Sequence, residues 1–203
     1  MDEHLKRPPA EAGMRIGLFG GSFNPAHEGH RLVATQCLHR LGLNRVWMLA
    51  SPGNPLKSHE ELAPLEERVA ATRKLVDHPG IEVTGFEAAH GFRYTWETLD
   101  YLKSAEPGVR FVWIMGADSL LTLHRWERWE TIAETMPMAI YARPGTTFRA
   151  SRSPAAVALE EFRLPEEEAT ILADQDPPAW VYLRGVMSGQ SSTAIRKTRS
   201  SPP

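Results

Sequence analysis

The chain has 203 residues, 42% of them hydrophobic and 24% charged. That is enough for one domain with a full core, and too ordinary a composition for a disordered, collagen-like or coiled-coil protein. Its 23 basic and 25 acidic side chains leave a net charge of −2, and Cys37 is the single cysteine. The balance argues against a nucleic-acid coat, and the lone thiol against an internal disulfide or a cysteine zinc site, so a reducing, cytoplasmic setting is expected.

Residues 1–13 are polar and read as a flexible lead-in. Residues 15–19 read as a buried strand running into Gly20, Gly21 and Ser22, a strand-to-loop punctuation where the backbone can adopt positive φ. A helix follows from about residue 28 to residue 40, with Val33, Cys37 and Leu41 as its inward stripe and Gly42 as its stop. Residues 46–50 form the next strand, and strand–helix–strand is the unit of a parallel sheet. The loop 51–64, with Pro52, Pro55 and Pro64, is long enough to suspect of function.

Leu65, Val69, Thr72 and Val76 mark a second helical face, followed by a strand at 81–84 and a helix at 95–103 with Leu99 and Leu102 inward. A strand at 110–115 exits through residues 116–119. Two short helices, about 119–123 and 127–135, precede a strand at 138–142. Residues 146–178 read as helical but weakly patterned, with Glu166, Glu167 and Glu168 as a solvated face. A last strand at 180–183 and a closing helix at 193–198 lead to a frayed tail, 200–203.

The alternation predicts an α/β fold over residues 14–199, a doubly wound, Rossmann-like parallel sheet with helices on both faces in a single domain. Ligands then sit beyond the carboxyl ends of the strands, where Gly20, Ser51, Gly116 and Arg143 fall. The longest apolar runs are strand-sized, well below the roughly 18–20 residues of a membrane helix, and no membrane partner is expected.

Two stretches carry chemistry. The first runs from Gly20 to His30 and holds His27 and His30, three apart at a helix start. Both imidazoles can reach one anion beside the free N–H groups of that helix, and Gly29 between them leaves room for a flat base. The spacing fits neither Gly-x-Gly-x-x-Gly, nor a Walker loop, nor a zincin, whose histidines stand four apart. The plainer alternative is that the histidines cap the helix. The second stretch is Ser191-Ser192-Thr193-Ala194-Ile195-Arg196. Its hydroxyls at a helix start, with Arg196 one turn on, can converge on a phosphate. A serine cap with a surface arginine is the alternative.

Together, these motifs resemble the nucleotidyltransferase superfamily with His-x-Gly-His near the start and Ser-Ser-Thr-x-x-Arg near the end. Within it, the chain is similar to the bacterial nicotinate-nucleotide adenylyltransferases. Tyr94-Thr95, Gly116-Ala117-Asp118-Ser119-Leu120, Trp126 and Arg143-Pro144-Gly145 add to the likeness, which spans residues 15 to about 197.

The resemblance implies adenylyl transfer from ATP, with Mg²⁺, to nicotinate mononucleotide, giving nicotinate adenine dinucleotide and pyrophosphate. It implies that His27 and His30 hold ATP phosphates, with His30 at the α-phosphate and useful there if protonated. Ser192, Thr193 and Arg196 would hold the β- and γ-phosphates, and Gly20 and Ser22 the adenylate side. Lys57, Thr95 and Asp118 would bind the mononucleotide, and Trp126 would stack on its ring. His27, His30 and Arg196 are the catalytic set, no protein metal ligand or nucleic-acid partner is implied, and a homo-oligomer is compatible with the resemblance.

Three positions depart from the pattern. Asn24 stands where Asp is commonest, Leu56 replaces a histidine and leaves only Lys57, and Gln190 replaces a usual Ile. Plainer roles exist for Asp118 and Thr95 as helix starts, and for one of Trp126 and Trp129 as packing. A sister adenylyl- or cytidylyltransferase, and a nucleotide-sensing protein without turnover, are the competing readings.

Overall fold

The alternating apolar runs form one parallel sheet. The computed structural model describes residues 2–53, 62–144, 147–186, 188–190, 192–193 and 195–196. In chain order the strands are β1 (Arg15–Gly21), β2 (Arg45–Ala50), β3 (Ile81–Thr84), β4 (Arg110–Gly116), β5 (Met138–Tyr141), β6 (Arg163–Leu164) and β7 (Trp180–Leu183). The helices are α1 (Glu28–Arg40), α2 (Leu65–Val76), α3 (Phe86–His90), α4 (Thr95–Ala105), α5 (Ala117–Leu120), α6 (Trp129–Thr135), α7 (Thr147–Ala150) and α8 (Pro154–Ala158). The sheet order is β3-β2-β1-β4-β5-β7-β6, and every pairing is parallel.

Successive strand residues point to opposite faces, and the two faces bury separate cores. Ile16, Leu18, Trp47, Leu49, Trp113 and Ile140 pack with residues of α4, α5 and α6 on one side. Phe19, Val46, Met48, Ile114 and Tyr141 pack with Val33 and Cys37 of α1 and Val69 and Val76 of α2 on the other. The sheet is thus covered on both faces, as the strand–helix alternation predicts.

The differences are local. Gly20 and Gly21 lie inside β1 without positive φ, and the left-handed residue after them is Phe23, at φ 45°. Phe23 is 1% exposed, so packing holds it in a conformation that ordinarily costs about 1 kcal/mol. Gly20 serves a close approach instead: a Cβ there would stand 2.5 Å from the Trp113 ring.

The lead-in is docked rather than loose. Gly85 N–H donates to the His4 carbonyl at 2.8 Å, the Thr84 hydroxyl donates to the Lys6 carbonyl at 2.7 Å, and Arg7 pairs with Glu106. The helical stretch after β5 is broken by β6, two residues too short to leave a pattern. It ends in a 3-10 helix, Glu166–Asp174, whose buried Ala169 and Leu172 keep the three-residue spacing of that helix. Glu166 is not simply solvated: it accepts from Arg40 at 2.6 Å and from the Arg184 N–H at 2.7 Å. No helix among the described residues is long and apolar enough to cross a membrane.

Candidate active site

From β1 the chain steps outward through β2 to β3, then returns to place β4 on the other flank of β1. A crevice opens where the strand order reverses, beyond the carboxyl ends of β1 and β4. Gly116 closes β4, and the His27–His30 segment comes a short loop after β1.

His27 is the N-cap of α1 and 4% exposed. Its Nδ1 accepts the Gly29 N–H at 3.1 Å, while His30 Nδ1 accepts the His27 N–H at 3.2 Å. This reciprocal cap satisfies donors that a helix start leaves free. The rings lie 3.9 Å apart at 33°, and the edge of Phe23 stands 5.0 Å from His30. A Cβ on Gly29 would meet the His27 ring at 2.9 Å, so the glycine makes room for the imidazole itself.

The capping alternative is therefore real, and it fixes chemistry as well as structure. With both Nδ1 atoms accepting, each ring carries its proton on Nε2, outside the cap. Burial, then the neighbouring His27 and Arg143, pushes His30 down to about 3. Burial and Arg143 lower His27 in the same direction. These shifts favour the neutral form of both imidazoles at pH 7, with Nε2–H left to donate.

The second stretch meets the first. Ser192 Oγ donates to the Pro25 carbonyl at 2.9 Å, Arg196 Nη1 donates to the Asn24 carbonyl at 2.6 Å, and Gln190 Oε1 accepts the Glu28 N–H at 3.1 Å. Residues some 160 positions apart in sequence thus close on the start of α1. Thr193 is exposed on the same turn.

Beside them lies a cavity of about 510 Å³ whose wall includes Gly20, Ser22, Thr95 and Trp126. Thr95 opens α4 but does not cap it, since Glu97 Oε2 accepts the N–H groups of Arg93 and Tyr94 at 2.8 and 2.9 Å. Trp126 and Trp129 both pack against the same core, and Trp126 also lines the cavity, while Trp129 begins α6. Asp118 does not cap α5; its carboxylate stands 3.4 Å from Arg143, one residue before Ser119 of the cavity wall. Lys57 lies outside the described residues.

Two contributors, Arg68 and Glu87, escape the sequence pattern, and Arg143 gains a role beyond its place at a strand end. Arg68 is 3% exposed and donates to the carbonyls of Ser22 at 2.7 Å, Ser51 at 3.0 Å and Ala63 at 2.8 Å. It ties the loops after β1 and β2 to the start of α2. Its spacing, three residues from Leu65 and four from Thr72, was the available signal. Arg143 adds positive potential at the histidines. Glu87 belongs to α3, a helix too short to show periodicity.

A doubly wound parallel sheet with donor-rich segments meeting over its switch point is the frame of a nucleotidyltransferase. The cytidylyltransferase-like family model matches residues 18–198. A protein of Mesorhizobium japonicum named "Probable nicotinate-nucleotide adenylyltransferase" is 51% identical, covering 94% of this chain and 97% of its own. One of the same name from Methylorubrum extorquens is 55% identical over 90% and 99%. The solved Plasmodium falciparum nicotinic acid mononucleotide adenylyltransferase complexed with NaAD shares the fold at a TM-score of 0.68 and 17% identity, over 91% of this chain and 83% of that one. The chain belongs to the cytidylyltransferase-like family and, within it, to the nicotinate-nucleotide adenylyltransferases.

Proposed function

We propose that this enzyme transfers the adenylyl group of ATP to nicotinate mononucleotide in NAD biosynthesis, giving nicotinate adenine dinucleotide and pyrophosphate. The observation that carries the reading is the contact of the Ser192–Arg196 turn with the His27 segment beside the cavity bearing Thr95 and Trp126. Relatives of that name at 51% and 55% identity support it.

The mononucleotide phosphate oxygen attacks the α-phosphorus of ATP. A new phosphoanhydride P–O bond forms, and the bond to pyrophosphate breaks. The substrate oxygen is already a nucleophile, so catalysis is alignment and charge stabilisation, with no covalent enzyme intermediate. In this reading His27 and His30 donate Nε2–H to phosphate oxygens, with His30 at the α-phosphate. Ser192 turns from the Pro25 carbonyl and Arg196 from the Asn24 carbonyl to the departing β- and γ-phosphates, which Thr193 also binds. Gly20 and Ser22 border the adenylate; Thr95, Asp118 and Lys57 bind the mononucleotide; and Trp126 stacks on its pyridine ring.

Mg²⁺ favours oxygen donors, and the histidines offer N–H donors instead, so the ion fits this site as a partner of the triphosphate and water. Bound there it shields the charge gathering on pyrophosphate. A cytoplasmic location accompanies this role.

The test incubates the purified chain with Mg-ATP and either nicotinate or nicotinamide mononucleotide and separates the products chromatographically. Nicotinate adenine dinucleotide with equimolar pyrophosphate is expected, and chelating Mg²⁺ should abolish it. ATP consumed without a dinucleotide would reject the reading.

A further inference from the structure

Glu87 is a buried carboxyl on the wall of the cavity, in the same lining as Thr95 and Trp126. It is 9% exposed. Its Oε1 accepts the Thr98 hydroxyl at 2.6 Å, and that is its one hydrogen bond among the described residues. A carboxyl this deep ordinarily has both oxygens satisfied. Here Oε2 is left for whatever fills the cavity.

We infer that Glu87 sets the choice between acid and amide on the pyridine ring of the mononucleotide, its free oxygen meeting that substituent directly. The inference rests on the reading that this cavity takes a pyridine mononucleotide. As a neutral acid, Glu87 donates Oε2–H to the ring carboxylate. As a carboxylate, it repels that group across a cavity of reduced dielectric and accepts the N–H of an amide instead. One side chain therefore favours opposite substrates in its two protonation states.

Burial raises Glu87 to about 7, against the lowering effect of the Thr98 hydrogen bond. Both states are then reached within the ordinary working range. The titratable neighbours are His90 on its own helix, Glu3 and His4 on the docked N-terminal turn, and Glu97 and Asp100 on α4. Arg93, Arg125 and Glu127 share the cavity wall. None of them contributes to the shift, whose causes are burial and Thr98 alone. Arg93 and Arg125 attract any anion, but guanidinium charge is constant across this range, so a pH-dependent preference cannot come from them.

The experiment measures kcat/KM for nicotinate and nicotinamide mononucleotides at saturating Mg-ATP and follows their ratio with pH. Titrations of the mononucleotide phosphate and of the histidines are common to both substrates and cancel in the ratio. The acid-over-amide ratio is expected to fall by about tenfold between about pH 6 and about pH 8.5. In Glu87→Gln, whose amide donates at every pH, the ratio should be flat. In Glu87→Ala it should be flat and lower.

A wild-type ratio independent of pH, or one that falls equally in Glu87→Gln, overturns the inference. The wild-type arm needs no variant, so a misfolded substitution does not shield the proposal. A purely structural Glu87–Thr98 tie would change stability and leave the ratio alone. Absence of dinucleotide from both substrates would instead reject the reading of the whole site.

Discussion

At the scale of residues, the histidine pair joins two roles that sequence reasoning holds apart. A helix cap through Nδ1 and a phosphate donor through Nε2 use opposite edges of the ring, so one imidazole does both. His30→Ala is expected to lower kcat by more than tenfold, an effect of the size removed with a positioned donor to developing charge. Loss of its acceptor from the His27 N–H should also cost about 1 kcal/mol of stability. Steady-state kinetics beside a urea titration separates the two, and unchanged turnover in a folded variant would contradict the role. Arg196→Ala should chiefly raise the KM for ATP; a change confined to the mononucleotide would mean that the triphosphate lies elsewhere. The motif residues were legible because their chemical types are rare in that spacing. Glu87 and Arg68 were not, since a lone acid or base in a short or amphipathic helix looks like any solvated charge until its burial is known.

Elements carry the next layer. α1 receives acceptors at its first turn from His27, His30 and, across the fold, Gln190. Gln190→Ile, which restores the residue usual in the resembled motif, removes the acceptor of the Glu28 N–H. It should destabilise the chain by about 0.5–1 kcal/mol in chemical denaturation. The same variant should leave the spacing of His27 and Arg196 intact, so a large loss of kcat would show that Gln190 does more than cap. The long strands and α1, α2 and α4 were readable from apolar periodicity and their stops, because burial on a fixed face imposes a period. α3 and β6 were not. Five residues or fewer define no period, and tertiary contacts set their form. The docking of the lead-in was equally hidden, since its hydrogen bonds use backbone carbonyls that any sequence supplies.

Across the whole molecule, two buried titrating groups pull stability in opposite directions. Glu87 is raised from 4.5 to about 7, so its contribution is complete below 4.5 and is lost as pH rises through 7. His30 is lowered from 6.5 to about 3, so its contribution is complete above 6.5 and is lost as pH falls toward 3. Between these limits the slopes partly offset. Glu87→Gln removes one of them, so it should gain on the wild type by about 3 kcal/mol from pH 4.5 to pH 7. Parallel stability curves would show that folding does not raise the Glu87 pKa. The sheet order itself decides where the chemistry sits. Only at the reversal beside β1 do the N-terminal histidines, the C-terminal turn and the cavity become neighbours.

That neighbourhood is the central claim, and a double-substitution cycle on ATP kinetics tests it most directly. kcat/KM for ATP is compared in His27→Ala, Arg196→Ala and the two combined. If both groups hold one triphosphate, the combined loss should fall short of the product of the single losses by about tenfold. Losses that simply multiply would mean that the two segments act on separate sites.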